Sequence, residues 1–453
     1  MAPLLFGVAA ASTAQAAGRP QNMTRTATPD PQIAAALQQI SSTRIQANIA
    51  ALAGFGTRST LSAQDDAGIA SGRGIGAARE WIKQQFELYS RDCGGCLDVR
   101  TDSFTQQPQE RIAQPTVITN VYAVLKGAGP EAAQQIVLVT GHYDSRNSDN
   151  FDIANDAPGA NDDASGVAVS LECARVLSKL KFPATIIFLT VAGEEQALNG
   201  SEHFARMARG LQWNIVAALN NDIVGGNRSP GQRRDVVRLF SEGLPAAADE
   251  RQLQQLRARG EESDSPSRQL ARHVVETASI YRTGVKPLLI FRLDRYLRGG
   301  DHRSFNAQGY AAVRFTEYLE DFNRQHQNVR IEGGIEYGDL PKFVDYDYVA
   351  RVARLNAATL ATLAAAPAPP INVKILTSSL DNNSTLEWEA SPAASGYEVL
   401  WRATSSPGWE YRQAVGNDTR VTLPVSKDNV IFAVRALDSQ GHRSLPVIPE
   451  PKR

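Results

Sequence analysis

The stretch IVLVTGHYDS, residues 136–145, sets an unbroken apolar, β-branched run directly against an imidazole and a carboxylate. A short continuous run of this kind reads as a strand buried on both faces, the habit of parallel sheets covered by helices. Two more stretches repeat the design. ATIIFLTVAGEEQ, residues 184–196, ends in Glu194 and Glu195, and IVAALNND, residues 215–222, ends in Asp222. Further β-rich segments cover 117–125 and 311–316, with helical patterns over 163–180 and 198–209 between them. Alternating strands and helices predict an α/β fold with a mixed, mostly parallel sheet flanked by helices. In such sheets ligands bind outside the carboxyl ends of the strands, where these polar residues fall.

The residue types at those ends point to metal chemistry. A carboxylate such as Asp144 can accept the second ring N–H of His142 and so fix its tautomer, as carboxylates placed behind histidine ligands do. GANDDASG, residues 159–166, precedes an apolar helix, where Asp162 or Asp163 could act simply as a cap. Together with Glu194, Glu195 and Asp222 these aspartates would gather negative charge at one sheet edge, which is costly without cations. Two Zn²⁺ ions would remove that cost, their charge balanced by Asp162, Glu195, Asp222 and one shared hydroxide. Glu194, next to a ligand but pointing elsewhere, is suited to take a proton from water as general base. The histidine that completes the set stays open between His302 and His326 on these grounds. HExxH, GxSxG and Walker A patterns are absent, and Gly72–Ala77 matches a dinucleotide fingerprint only loosely, with no strand before it.

GHYDS, PGANDDASG, GEEQALNGS, NNDIVGG, RGGDHRSF and TEYLEDFNRQHQNVR, in that order between residues 120 and 330, resemble the M28 zinc peptidases, a family of aminopeptidases and glutamate carboxypeptidases. Carried over position by position, the resemblance implies metal ligands His142, Asp162, Glu195, Asp222 and His326. It also implies Glu194 as catalytic base, Asp144 behind His142, and a cis peptide between Asp162 and Asp163. Asp163, Asp301 and His302 are left to line or support the site. The family's tyrosine near this last motif has Leu297 at the matching offset here, with Tyr296 one residue away. The implied activity is a two-zinc aminopeptidase acting on peptides. The alternatives are a glutamate-type carboxypeptidase or dipeptidase, with guanidiniums of the Arg292–Arg298 loop clamping a substrate carboxylate, a glutaminyl cyclase-like enzyme, and a noncatalytic binding protein.

Further out, the chain divides. Its 453 residues are too many for one ordinary domain. Residues 1–17 carry an apolar run ending in small residues, the pattern of a signal peptide, which predicts export to the periplasm or medium. Residues up to about 115 read as mostly helical, and Asn227–Ser267, charged and poorly periodic, as a surface insertion. The peptidase-like domain is expected over 18–363, followed by a Pro-rich linker at 364–370. Beyond it, residues 371–453 predict an all-β sandwich with strands over 371–376, 385–389, 397–402, 421–423 and 430–437. GYEVLWR and VIFAVRALDSQGHRS, with Trp388, resemble a fibronectin type III domain. Its partner would be a surface, a polysaccharide or another protein.

Forty-seven basic residues against forty-eight acidic ones supply no bulk field for nucleic acid. No apolar run after the leader approaches the about 20 residues of a membrane span. Cys93 and Cys96 are expected to form a local disulfide, and Cys173, on an apolar helical face, to be a buried thiol.

Overall fold

Eight strands form one sheet in the computed structural model, which describes residues 21–23, 27–129 and 135–453. The leader expected over 1–17 lies outside the described residues. In chain order the strands are β1 (Leu97–Gln106), β2 (Thr116–Leu125), β3 (Gln135–His142), β4 (Thr185–Val191), β5 (Asn214–Asn221), β6 (Val236–Ser241), β7 (Lys286–Ile290) and β8 (Ala312–Glu317). Across the sheet they run β1-β2-β4-β3-β5-β8-β6-β7. The centre β4-β3-β5-β8 is parallel, β1 and β2 join antiparallel on one side, and the parallel pair β6 and β7 joins antiparallel to β8 on the other. The fold is therefore the mixed α/β sheet flanked by helices that the alternation of segments predicts.

Both faces of β3 are buried. Val137 and Val139 face one core with Ile186 and Phe188, while Leu138 faces the other with Ile187 and Leu189. Helices α1 (Ile75–Asp92), α2 (Ala164–Leu177) and α6 (Tyr346–Ala365) cover the first face, and α3 (Asn199–Gly210) and α5 (His302–Ala307) the second. Each such side chain stabilises the sheet by about 1.5–3 kcal/mol when fully removed from water. Close approach at the site end depends on two glycines. A Cβ at Gly166 would lie 2.1 Å from the carbonyl oxygen of Asn221, and one at Gly141 would lie 2.5 Å from Gly166. The start of α2 thus sits hard against the ends of β3 and β5.

Three expectations need correction. The region before residue 115 does hold helices, Pro31–Leu37, Ser42–Gly54, Asp66–Ser71 and Ile75–Asp92, but it also contains the unexpected β1, which pairs with β2 along its whole length. As an edge strand, LDVRTDSFTQ is largely polar and carries no buried run to announce it. Nor is Asn227–Ser267 a mere insertion. Within it Val236–Ser241 is an internal strand with five buried residues, whereas the helix Glu250–Ala258 has none. The charged residues around VVRLF mask its apolar pattern. Lastly α6 continues to Ala365, two residues past the expected domain end, since Ala364 and Ala365 favour helix and the prolines begin only at Pro367.

The C-terminal part is a β-sandwich. One sheet contains β9 (Ile371–Leu376), β10 (Ser384–Glu389), β13 (Arg420–Leu423) and β15 (Glu450–Lys452). The other contains β11 (Gly396–Ala403), β12 (Tyr411–Ala414) and β14 (Val430–Leu437), with Gln21–Asn22 added beside β12. Trp388, Tyr397, Val399, Phe432 and Val434 fill the space between. Helix α4 (Pro266–Tyr281) is the seat of this domain. Arg402 on β11 pairs with both oxygens of buried Asp264, which also takes Arg272 of α4, and fully buried Arg435 on β14 pairs with Glu276 of α4. Cys93 and Cys96 form a disulfide, and Cys173 is a buried free thiol.

Candidate active site

The carboxyl end of β3 delivers His142 into a buried position with its ring oriented by Asp144. Nδ1 lies 3.2 Å from the Asp144 carbonyl and 3.4 Å from its carboxylate, so that Nε2 faces inward. Asp144 in turn accepts hydrogen bonds from the Thr60 hydroxyl at 3.0 Å and the Glu195 N–H at 3.1 Å, tying the ends of β3 and β4 together. Asp163 does the same for α2. It caps Gly166 N–H at 2.9 Å and accepts the His142 N–H at 3.0 Å.

The bond between Asp162 and Asp163 is cis, as the resemblance implied. Asp162 presents one oxygen to each imidazole: Oδ1 is 3.1 Å from His142 Nε2, and Oδ2 is 2.9 Å from His326 Nε2. Its main chain is gripped from behind. The Asp339 carboxylate accepts the N–H groups of Asn161 at 2.9 Å and Asp162 at 2.7 Å, and Gln325 donates to Asp162 Oδ2 at 3.0 Å. Buried Arg58 donates to the carbonyls of Tyr143, Pro158 and Gly159, joining the β3 end to the same loop.

Glu195 is buried, with Oε1 2.9 Å from His326 Nε2 and Oε2 2.9 Å from Arg146 Nε. Arg146 also lies against His326 Nδ1. Asp222 follows β5, and one of its oxygens meets Arg314 of β8 at 2.8 Å. Two residues of the site, Ile223 at φ 60° and His326 at φ 56°, hold the left-handed backbone that branched and bulky side chains avoid. Both adjoin or supply donor groups, the kind of place where such strain is retained.

The donor atoms fall into two groups, His142 with Glu194 and Asp222, and Asp162 with Glu195 and His326, each within 4.8 Å internally. His142 Nε2, Glu195 Oε1, Asp222 Oδ2 and His326 Nε2 are buried and make no hydrogen bond within the protein. Nitrogen and carboxylate donors converging without hydrogen bonds among themselves fit zinc. Electrostatics agrees. Burial opposes charge on His142, yet Glu194 and its neighbouring carboxylates raise its pKa well above the ordinary value. His326, facing Glu195 and Asp162, is pushed up to about 10 despite burial. Glu194 rises well above the usual carboxylate range through burial and the nearby Asp222, Glu195 and Asp301 charges.

Other expected residues lie around this centre. Asp301 is buried behind it and raised to about 7 by burial. His302 does not join the donor groups. Its Nε2 donates to the Leu293 carbonyl at 2.8 Å, with Asp294 3.5 Å away, and burial lowers it to about 4. Tyr296 is turned to solvent, 75% exposed beneath Arg292, whereas Leu297 lines the site. Sequence reasoning missed Arg58, Arg146, Arg314, Gln325 and Asp339. Gln325 stands beside His326 within a quoted motif and Arg146 directly follows GHYDS, but Arg58 and Asp339 come from outside the motifs.

The fold and this site define a zinc-dependent peptidase, and the comparisons agree. Peptidase family M28 matches residues 120–330. A probable zinc metalloprotease of Pyrenophora teres f. teres is 44% identical over 430 residues, covering 93% of this chain and 88% of its own. Another, from Pyricularia oryzae, is 45% identical over 433 residues, with 93% and 85% covered. Among solved structures, the LapA aminopeptidase of Legionella pneumophila shares the fold with a TM-score of 0.51 at 19% identity, over 74% of this chain and 75% of that one. The chain belongs to peptidase family M28.

Proposed function

We propose that this protein is a two-zinc exopeptidase that removes N-terminal residues from peptides. The observation that carries the reading is the placement of Asp162, whose two oxygens each face a different imidazole. His142 and Asp222 would hold one zinc, Glu195 and His326 the other, with Asp162 shared. Zinc bound there supplies Lewis acidity toward a water and the scissile carbonyl. The chain's own residues supply the rest. Glu194 belongs to the His142 and Asp222 group but is half-buried rather than enclosed, and it lines the cavity. Its carboxylate, beside the His142 and Asp222 donor atoms and open to the cavity, is placed to accept a proton from water and return it to the departing amine. Asp144 and Asp163 hold His142, and Asp339 holds Asp162.

The fold neighbour from Legionella is named an aminopeptidase, which favours that specificity. The carboxypeptidase alternative loses part of its motive. In the Arg292–Arg298 loop, Arg295 and Arg298 are both bound to Glu320. We read the C-terminal sandwich as fibronectin type III-like and the protein as exported, the latter supported by its disulfide.

The test is metal analysis of the purified protein with a zinc-replete assay on leucyl anilide and on an N-blocked dipeptide. Two zincs per chain and cleavage of the anilide are expected. Cleavage of the blocked dipeptide alone would overturn the aminopeptidase reading, and one zinc would overturn the two-metal reading.

A further inference from the structure

The cavity beside the donor groups, about 590 Å³, is lined by five guanidiniums, those of Arg111, Arg146, Arg295, Arg298 and Arg303. Three are neutralised by the protein. Arg146 is bound to Glu195. Arg295 lies 3.0 Å and Arg298 2.5 Å from Glu320, a carboxylate that these arginines and Arg314 hold down to about 2 against its burial. Arg295 is also bound to Asp294.

The other two differ. Arg111, on the loop between β1 and β2, donates Nη1–H to the Glu195 carbonyl at 3.0 Å, which anchors it beside a proposed zinc ligand, and has no carboxylate partner among the described residues. Arg303, on α5, is exposed, and its guanidinium makes no hydrogen bond or ion pair among the described residues. Its guanidinium lies over Gly299, where a Cβ would come 2.4 Å from Nη1, so the glycine makes room for it at the wall. Glu110, also on the wall and exposed, pairs with neither. Zinc would compensate Asp162 and Asp222 and share Glu195 with Arg146, which stays bound to it. The wall then keeps two forked cations that the protein does not satisfy, in the space a substrate must enter.

We infer that Arg111 and Arg303 are specificity-determining residues that bind a substrate carboxylate next to the scissile bond, a reading that rests on the peptidase function proposed above. Guanidinium forks bind carboxylates bidentately, and hydrogen bonds to charged groups are worth about 1.5–3 kcal/mol, or roughly ten- to 150-fold in binding. The carboxylate has two possible sources, the free C-terminus of a short peptide or an acidic side chain beside the cleaved bond. The preferred substrates are thus short or acidic peptides rather than long neutral ones.

The experiment uses the full-length zinc-replete protein with matched pairs: leucyl-leucine against leucyl-leucinamide, and leucyl-glutamate amide against leucyl-glutamine amide. At least one pair is expected to show kcat/KM roughly tenfold or more higher for the anion, and the pair that does identifies the source. Arg303→Gln and Arg111→Gln should each collapse that ratio, with Arg303→Lys restoring part of it, while a merely structural role would lower both members together. Binding of the same peptides to the Glu194→Gln protein, read by calorimetry, should show the same preference without turnover. Equal binding and equal kcat/KM within both pairs would overturn the clamp. If Glu194→Gln binds the anionic peptides preferentially but the wild type cleaves none of the four, the clamp stands and the proposed activity falls.

Discussion

Arg314 Nη2 lies 2.8 Å from Asp222 Oδ1, and neither side chain reaches solvent. The same guanidinium meets Asp294 at 3.3 Å and the Gly299 carbonyl at 2.9 Å. Arg314 therefore holds Asp222 through Oδ1, which also lies 4.0 Å from His142 Nε2, while Oδ2 makes no hydrogen bond within the protein. Arg314→Met would strand the buried Asp222 carboxylate, Asp294 keeping Arg295, at a cost of about 3–5 kcal/mol. Denaturant unfolding of the chelated protein should show that loss and zinc titration a weaker affinity. Unchanged values in both would mean that Arg314 does not set Asp222.

Glu194 and Glu195 are neighbours with different tasks. Glu194→Gln is expected to lower kcat by about 10²- to 10⁴-fold, the range for a positioned base, while zinc content stays at the wild-type value. Loss of zinc from this variant would make Glu194 a ligand, a possibility its place beside His142 and Asp222 keeps open to measurement.

Asp339 lies beyond the family match yet holds the N–H groups of Asn161 and Asp162. Asp339→Ala removes an ionised acceptor of two buried donors, costing about 1.5–3 kcal/mol. Zinc affinity should fall with it, because the loop carrying the shared ligand loosens. Calorimetric melting and zinc titration together check this, and a loss of stability with intact affinity would confine Asp339 to a scaffold role.

The seat of the C-terminal domain is acid-sensitive. Burial lowers His273 on α4 to about 4, so between pH 6.5 and 4 the unfolded chain binds a proton that the folded one refuses, and stability falls as pH drops through that window. Glu276 is buried, but Arg435 holds it down to about 2. Its stabilisation is present above about pH 4.5 and is lost as pH falls toward 2. Urea midpoints measured from pH 7 to 3 should therefore decline first below 6.5 and again below 4.5. Glu276→Gln should remove the second decline, and its persistence would assign it to other carboxylates.

Much of this architecture is legible in local pattern. The runs before His142, Glu194 and Asp222 are mainly apolar on alternate and intervening positions alike because both faces of those strands are covered, and a strand that must stop at a polar site announces its end. β1 and β6 are not legible for the opposite reasons. One has an exposed face and the other lies between charged turns that dilute its few apolar residues. The Arg292–Arg298 loop shows the limit most clearly. Three arginines in sequence suggest a clamp, but Glu320, more than twenty residues away, takes two of them.

By itself the sequence determined that strands end in metal-binding residue types at one sheet edge, because residue order along a buried strand and the capping of the next helix are local properties. Only the tertiary structure decided which groups complete the site. Arg314 reaches Asp222 across neighbouring strands, Asp339 meets the Asp162 loop from 177 residues away, and Arg111 and Arg303 arrive on separate elements at one cavity wall. Those relations depend on how strands and loops pack, and charge compensation in a buried site acts through space rather than along the chain.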